Sequence, residues 1–214
     1  MPIVYTVNAR PQQSYPYSLI FVGICVVVFI FQALFPIITD LFVLRSQSAL
    51  VTPWTFITSM FLHGGFAHLF FNMFALAIFG TILEKIIGSR RFLTVYFAAG
   101  IIAGIASLPF YSAVLGASGA IMGVLGCLAI LRPRMTVWMM YAPMPMIVAA
   151  GFWILLDLAG FFSGAGGIAN AAHLGGIFFG IGYGLWTRKN FGERRKIIRP
   201  VSDRDLDDWE VKYM

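Results

Sequence analysis

Two stretches of this chain carry no charge at all: nothing ionised lies between Arg10 and Asp40, and nothing between Arg91 and Arg132. A helix needs about 20 apolar residues to cross roughly 30 Å of hydrocarbon. Uncharged runs of that length therefore demand lipid, or a core larger than 214 residues can build. Composition decides between the two. Hydrophobic residues make up 59% and charged residues 11%, against about 25% charged in soluble domains. A single soluble globule, a disordered chain and a fibrous repeat are excluded. What remains is an all-α membrane protein.

Six spans are expected. Residues 17–37 form the first and 66–83 the second. The run 92–131 is too long for one helix and breaks around 109–116, giving a third and a fourth. Residues 135–156 form the fifth, ending near Asp157, and 168–186 the sixth. The first run has a cleavable signal peptide as its rival. No basic segment precedes it and no clear cleavage site follows, so it is expected to be retained. The expected organisation is a short N-terminal segment over 1–16, a six-span membrane domain over 17–187 and a tail over 188–214.

Basic residues orient the spans. With six crossings, 14 of the 15 Lys and Arg fall on the side of both termini, and only Arg45 lies opposite. Both termini are expected to be cytoplasmic, in the cell membrane. The net charge of +6 thus points to anionic headgroups rather than nucleic acid. The tail turns acidic over 203–210 and is read as solvated. Cys25 and Cys127 sit inside apolar runs and read as packing residues, not as a disulfide or metal site.

Polar side chains inside a span are functional candidates by default. His68 and Asn72 lie in the second span, Ser118 opens the fourth and His173 lies near the head of the sixth. Counted from the charge that ends each helix, they sit roughly 18–24 Å above the inner boundary. The fourth span, 117–131, is about 22 Å long if helical. It cannot reach the outer surface, so the loop before it must dip into the membrane plane, around a water-filled cavity. Glycines follow one stripe: Gly176, Gly180 and Gly184 in the sixth span, facing Gly119, Gly123 and Gly126 in the fourth. Small residues at this spacing let helix backbones touch, which would bring His173 to Ser118.

A serine hydroxyl becomes a useful nucleophile when a base takes its proton. His173 is placed to be that base. Asn72 and His68, four apart on one face, together with the Ser118 N–H, can serve a developing oxyanion. The set lacks an acidic third member: at 23 residues beyond Arg134, Asp157 is expected about 34 Å up, at the outer interface. The blander readings are an N-cap serine, interhelical polar pairs and glycines that only pack. His63 and His68, five apart, lie about 140° around a helix and make a poor metal pair; no metal or cofactor is expected.

These residues resemble the rhomboid intramembrane serine proteases in their minimal six-span form. Three motifs carry the resemblance in order: His68-Leu-Phe-Phe-Asn72, Gly116-Ala-Ser118-Gly119 and Ala172-His173-Leu-Gly-Gly176. His63, Glu84, Gly88 and Arg91 also fit, and the similarity runs over about 54–186. It implies a short fourth helix and cleavage of single-span membrane proteins within the lipid bilayer by a Ser118–His173 dyad. The oxyanion site would be formed near His68 and Asn72, with Gly116, Gly119, Gly176 and His63 in support. Two positions depart from the pattern: Thr55 follows Trp54 where many relatives have Arg, and Met122 stands where an aromatic often lies beneath the base. The alternatives are a catalytically inactive relative that binds client transmembrane helices, and a small channel. The presence of both Ser118 and His173 favours the enzyme, and the apolar lower halves of the spans disfavour a channel.

Overall fold

The computed structural model describes residues 16–139, 141–164 and 168–192. The N-terminal segment, most of the loop after Gly164 and the basic-then-acidic tail beyond Gly192 lie outside the described residues.

The protein is a helical membrane bundle. Helix α1 (Tyr17–Leu34) ends at Phe35, where Pro36 withholds the N–H the next turn needs. Its opposite end is tied to the second span. The buried Glu84 carboxylate accepts the N–H groups of Tyr17 (3.1 Å) and Ser18 (3.0 Å), satisfying donors that a helix start leaves open. The connection that follows holds α2 (Ile37–Phe42), strand β1 (Leu44–Arg45) and α3 (Thr55–Thr58). The second span is continuous over Phe66–Ile87: α4 (Phe66–Ala75), a π-helical turn (Leu76–Gly80) and α5 (Thr81–Ile87). Gly88, at φ 82°, turns the chain into α6 (Ser89–Ser107). Strand β2 (Ala113–Val114) pairs antiparallel with β1, Leu44 opposite Val114. The chain then enters α7 (Ser118–Leu131), α8 (Met146–Ser163) and α9 (Asn170–Gly192).

Among the described residues, four helical segments are long and apolar enough to cross a membrane: α1, the α4–α5 segment, α6 and α8. Helix α7 is the short fourth span, as expected. Helix α9 has the length, but its glycines and His173 make it less apolar. Its glycine-bearing face packs against α6 and α7, while Phe178, Leu185 and Trp186 on its other side are exposed. Phe66, Phe70, Phe71 and Phe74 of α4, and Leu155, Leu156 and Phe162 of α8, are exposed, the pattern of helices whose outer faces meet acyl chains.

One expected span is wrong at its start. Residues 135–139 and 141–145 are not helical; β3 (Thr136–Met139) pairs with β4 (Ala142–Pro145) in a hairpin. Pro143 and Pro145 cannot lie inside a helix, and Tyr141 turns the hairpin at φ 65°. The fifth span therefore begins at Met146. Asp157 is then 11 residues from its start, about 17 Å along it. The aspartate expected at the outer interface belongs to the layer of the other polar groups.

The centre of the bundle is α7 meshed with α9. A Cβ on Gly176 would lie 2.0 Å from the Gly119 carbonyl oxygen, and one on Gly180 would lie 2.0 Å from that of Gly123. The opposite face of α7 is as tight: a Cβ on Gly123 would meet Ala99 Cβ of α6 at 2.2 Å. The glycines thus bring α7 and α9 together, as their spacing predicts, and they also set the distance to α6, which the spacing does not announce. Cys25 and Cys127 are buried free thiols, packed as expected.

Candidate functional site

Ser118 is the first residue of α7, with a side chain that is neither fully buried nor open. Two contacts hold the chain leading into it. The Gly116 N–H donates to the Ser59 carbonyl at 2.9 Å, and β2 is stitched to β1. Gly116 has φ +118°, a conformation that L side chains rarely adopt, and a Cβ there would lie 2.7 Å from His68 Cε1. Glycine is required on both counts. The same point is 2.9 Å from His68 Nε2 and 3.8 Å from Ser118 Oγ. The His68 ring edge and the serine hydroxyl therefore converge on one small volume.

The hydrogen bonding of His68 fixes what it can offer there. The Gly64 N–H donates to His68 Nδ1 at 3.4 Å. With Nδ1 accepting, the neutral ring carries its proton on Nε2, which faces Ser118. Asn72 is buried one turn below and donates one amide N–H to the His68 carbonyl at 2.7 Å. That bond orients the side chain and leaves its second N–H. His63 lies behind: its ring meets that of His68 edge-on at 5.2 Å between centroids, and it is 2% exposed. Burial, and then the nearby His68, push the His63 pKa down to about 4, so it stays neutral.

His173 stands one turn into α9. The start of that helix is fixed by a hydrogen bond from the Ala171 N–H to the Tyr111 hydroxyl at 3.3 Å, and Tyr111 belongs to the loop that leads to Ser118. The contact of Gly119 with Gly176 puts Ser118 and His173 on adjoining turns of the meshed pair, and the Ala172 carbonyl lies against Gly119.

One close polar contact of His173 is absent from the expected set. His173 Nδ1 is 3.0 Å from Asp157 Oδ1, with side chains 14% and 6% exposed. The sequence holds a signal that could have found it. Pro133, Pro143 and Pro145 argue against a helix before Met146, and moving the helix start brings Asp157 to the depth of His173. The arrangement thus offers a hydroxyl at a helix N-terminus, an imidazole one turn into the neighbouring helix, a carboxylate hydrogen-bonded to that imidazole, and an imidazole on a third helix beside Gly116. Such a set is equipped for acyl transfer.

Comparison with known proteins identifies the family. Residues 51–190 match the family model described as Rhomboid domain. The chain is 39% identical over 149 residues to Rhomboid protease GluP of Bacillus subtilis (strain 168), covering 66% of this chain and 28% of that one. It is 31% identical over 169 residues to Rhomboid protein 1, mitochondrial, of Saccharomyces cerevisiae (strain ATCC 204508 / S288c), covering 72% of this chain and 48% of that one. Presenilin-associated rhomboid-like protein, mitochondrial, of Homo sapiens is 35% identical over 134 residues, with 58% and 35% covered. The match thus spans less than half the length of each of these relatives. On motif order, helical architecture and these similarities together, the chain belongs to the rhomboid family of membrane proteins.

Proposed function

We propose that the chain is an intramembrane serine endopeptidase that cleaves transmembrane segments of single-span membrane proteins. The observation that carries this reading is the convergence of His68 Nε2 and Ser118 Oγ on the space around Gly116, at the start of a helix too short to reach the outer surface. A serine at a helix start used only for folding would have no need of an imidazole donor beside it.

Ser118 Oγ attacks the scissile carbonyl carbon while its proton passes to His173 Nε2. The opposite ring nitrogen, Nδ1, is occupied by Asp157, so Nε2 is the free acceptor. The carbonyl oxygen becomes an oxyanion, and three donors serve it: His68 Nε2–H, the remaining Asn72 N–H and the Ser118 backbone N–H, unpaired at the start of a helix. His173 then gives its proton to the leaving amine. Water repeats the sequence on the acyl enzyme.

A transmembrane substrate hides its carbonyls in helical hydrogen bonds. It must unwind near the outer end of the site, so Gly or Pro in that part of the substrate promotes cleavage. It must also enter sideways, and α8 is the assigned gate. Among its 18 residues only Met146, Ala149, Ala150 and Asp157 are buried, so little packing opposes its movement. Both termini are placed on the cytoplasmic side of the cell membrane, where 14 of 15 basic residues then lie.

The test is cleavage of a single-span substrate in liposomes. Ser118→Ala and His173→Ala abolish cleavage while the purified proteins keep their helical content and unfolding temperature. Proteolysis within a few-fold of the parent in either variant contradicts the reading.

A further inference from the structure

Asp157 has one polar partner among the described residues. Its Oδ1 meets His173 Nδ1 at 3.0 Å, and its Oδ2 is buried with no hydrogen bond. A carboxylate held this way is costly to bury, and it ties no loop and caps no helix. Its position on α8 is as informative. The inner half of that helix is anchored by Met146, Ala149 and Ala150, whereas Asp157 is the one buried residue of the outer half. Two contacts flank it. A Cβ on Gly160, one turn above, would lie 2.7 Å from Asn170 Nδ2 at the start of α9. Phe161 packs edge-on against Phe110 at 4.9 Å. The outer end of α8 thus touches α9 at a glycine and reaches the base through one carboxylate.

We propose that Asp157 is a positioning residue for His173 and that, because α8 carries it, the base is correctly oriented only while α8 lies against α9. With α8 in place, His173 Nδ1–H donates to Asp157 and Nε2 faces the Ser118 hydroxyl. When α8 swings out to admit a substrate helix, the carboxylate leaves, and the imidazole loses both its tautomer and its ring orientation. Acylation then waits for α8 to return, so an open gate and a competent base exclude one another. This rests on the protease reading, and the experiment separates the two.

The readout is the rate at which a small, water-soluble fluorophosphonate labels the protein in detergent. The probe enters from the aqueous side without moving α8. Ser118 Oγ bonds to phosphorus, fluoride leaves, and the hydroxyl proton goes to His173. Asp157→Asn and Asp157→Ala are expected to slow labelling by about 10²-fold or more, on the precedent of a triad aspartate, with part recovered in Asp157→Glu. A disulfide between Gly160→Cys and Asn170→Cys, pinning α8 to α9, is expected to leave labelling intact when Asp157 is present and not to rescue Asp157→Asn. Phe161→Ala, which frees the outer end of α8, is expected to slow labelling several-fold in the parent and to have no further effect in Asp157→Asn. Parental labelling in Asp157→Asn overturns the proposal. So does rescue of Asp157→Asn by the disulfide, because the carboxylate would then only clamp a helix. An equal Phe161→Ala effect in both backgrounds overturns the coupling. If Ser118→Ala still labels at the parental rate, the protease reading fails instead.

Discussion

Helices α7 and α8 are neighbours built on opposite rules. In α7, 11 of 14 residues are buried, and glycine backbones touch on both flanks. In α8, 4 of 18 are buried and the outer face is bare leucine and phenylalanine. Both reach the same site, α7 through Ser118 and α8 through Asp157. A nucleophile and its oxyanion donors must hold their places to within a fraction of an ångström, and interdigitated backbones provide that. A helix that lets substrate pass cannot be meshed in the same way. Its grip on the site is reduced to one carboxylate, one glycine contact and one aromatic edge.

The contrast can be broken most severely on its rigid side. His68→Ala removes the donor that faces Ser118 and is expected to lower kcat by about 2.7–4 kcal/mol in barrier terms. Asn72→Ala is expected to cost less, because one of its N–H groups is already spent on the His68 carbonyl. Steady-state kinetics on an embedded substrate check both; a change confined to KM would make these residues binding groups.

Next in size is the mesh itself. Gly180→Ala would force a Cβ to 2.0 Å from the Gly123 oxygen. That atom is backbone and cannot rotate away, so a loss of about 1–3 kcal/mol or more is expected, read as a lower unfolding temperature in detergent. An unchanged unfolding temperature would mean that α7 and α9 are not meshed.

The prediction at α8 runs the other way. Phe152→Ala with Trp153→Ala thins its packing and is expected to raise turnover of a membrane-embedded substrate a few-fold, with little loss of stability. Cross-linking α8 to the second span is expected to lower turnover. Full-rate cleavage by the cross-linked protein would remove α8 as the gate.

Much of this contrast is legible in the sequence, and the part that is not has a physical cause. The glycine stripes at spacing four announce the α7–α9 mesh, and the depth of Ser118, His68, Asn72 and His173 follows from counting residues between charges. That counting assumes unbroken helix from the nearest arginine, which fails at Arg134. The stretch before Met146 is apolar enough to resemble a span, yet Pro143 and Pro145 and the hairpin they sit in advance the chain without climbing as a helix would. Hydropathy is blind to that distinction, so counting from Arg134 puts Asp157 too high. The Glu84 tie to α1 is also invisible locally, since its partners lie 66 and 67 residues away.

The smallest predicted effect returns to the comparison at its simplest. Gly151 of α8 has nothing within 4 Å of an added Cβ, unlike Gly176 and Gly180 of α9. Gly151→Ala is expected to be neutral or to stabilise by about 0.5–1 kcal/mol, where the same change at Gly176 or Gly180 destabilises. Opposite signs in thermal unfolding support the two packing rules; a loss at Gly151 equal to that at Gly180 would erase them.

The central claim is that Ser118 is a nucleophile activated by His173. It is tested most directly by treating the protein with a fluorophosphonate and locating the adduct by peptide mass spectrometry. The account predicts one adduct, on Ser118, formed by the parent and absent from Ser118→Ala and His173→Ala. An adduct on another serine, or parental labelling of Ser118 without His173, would contradict it.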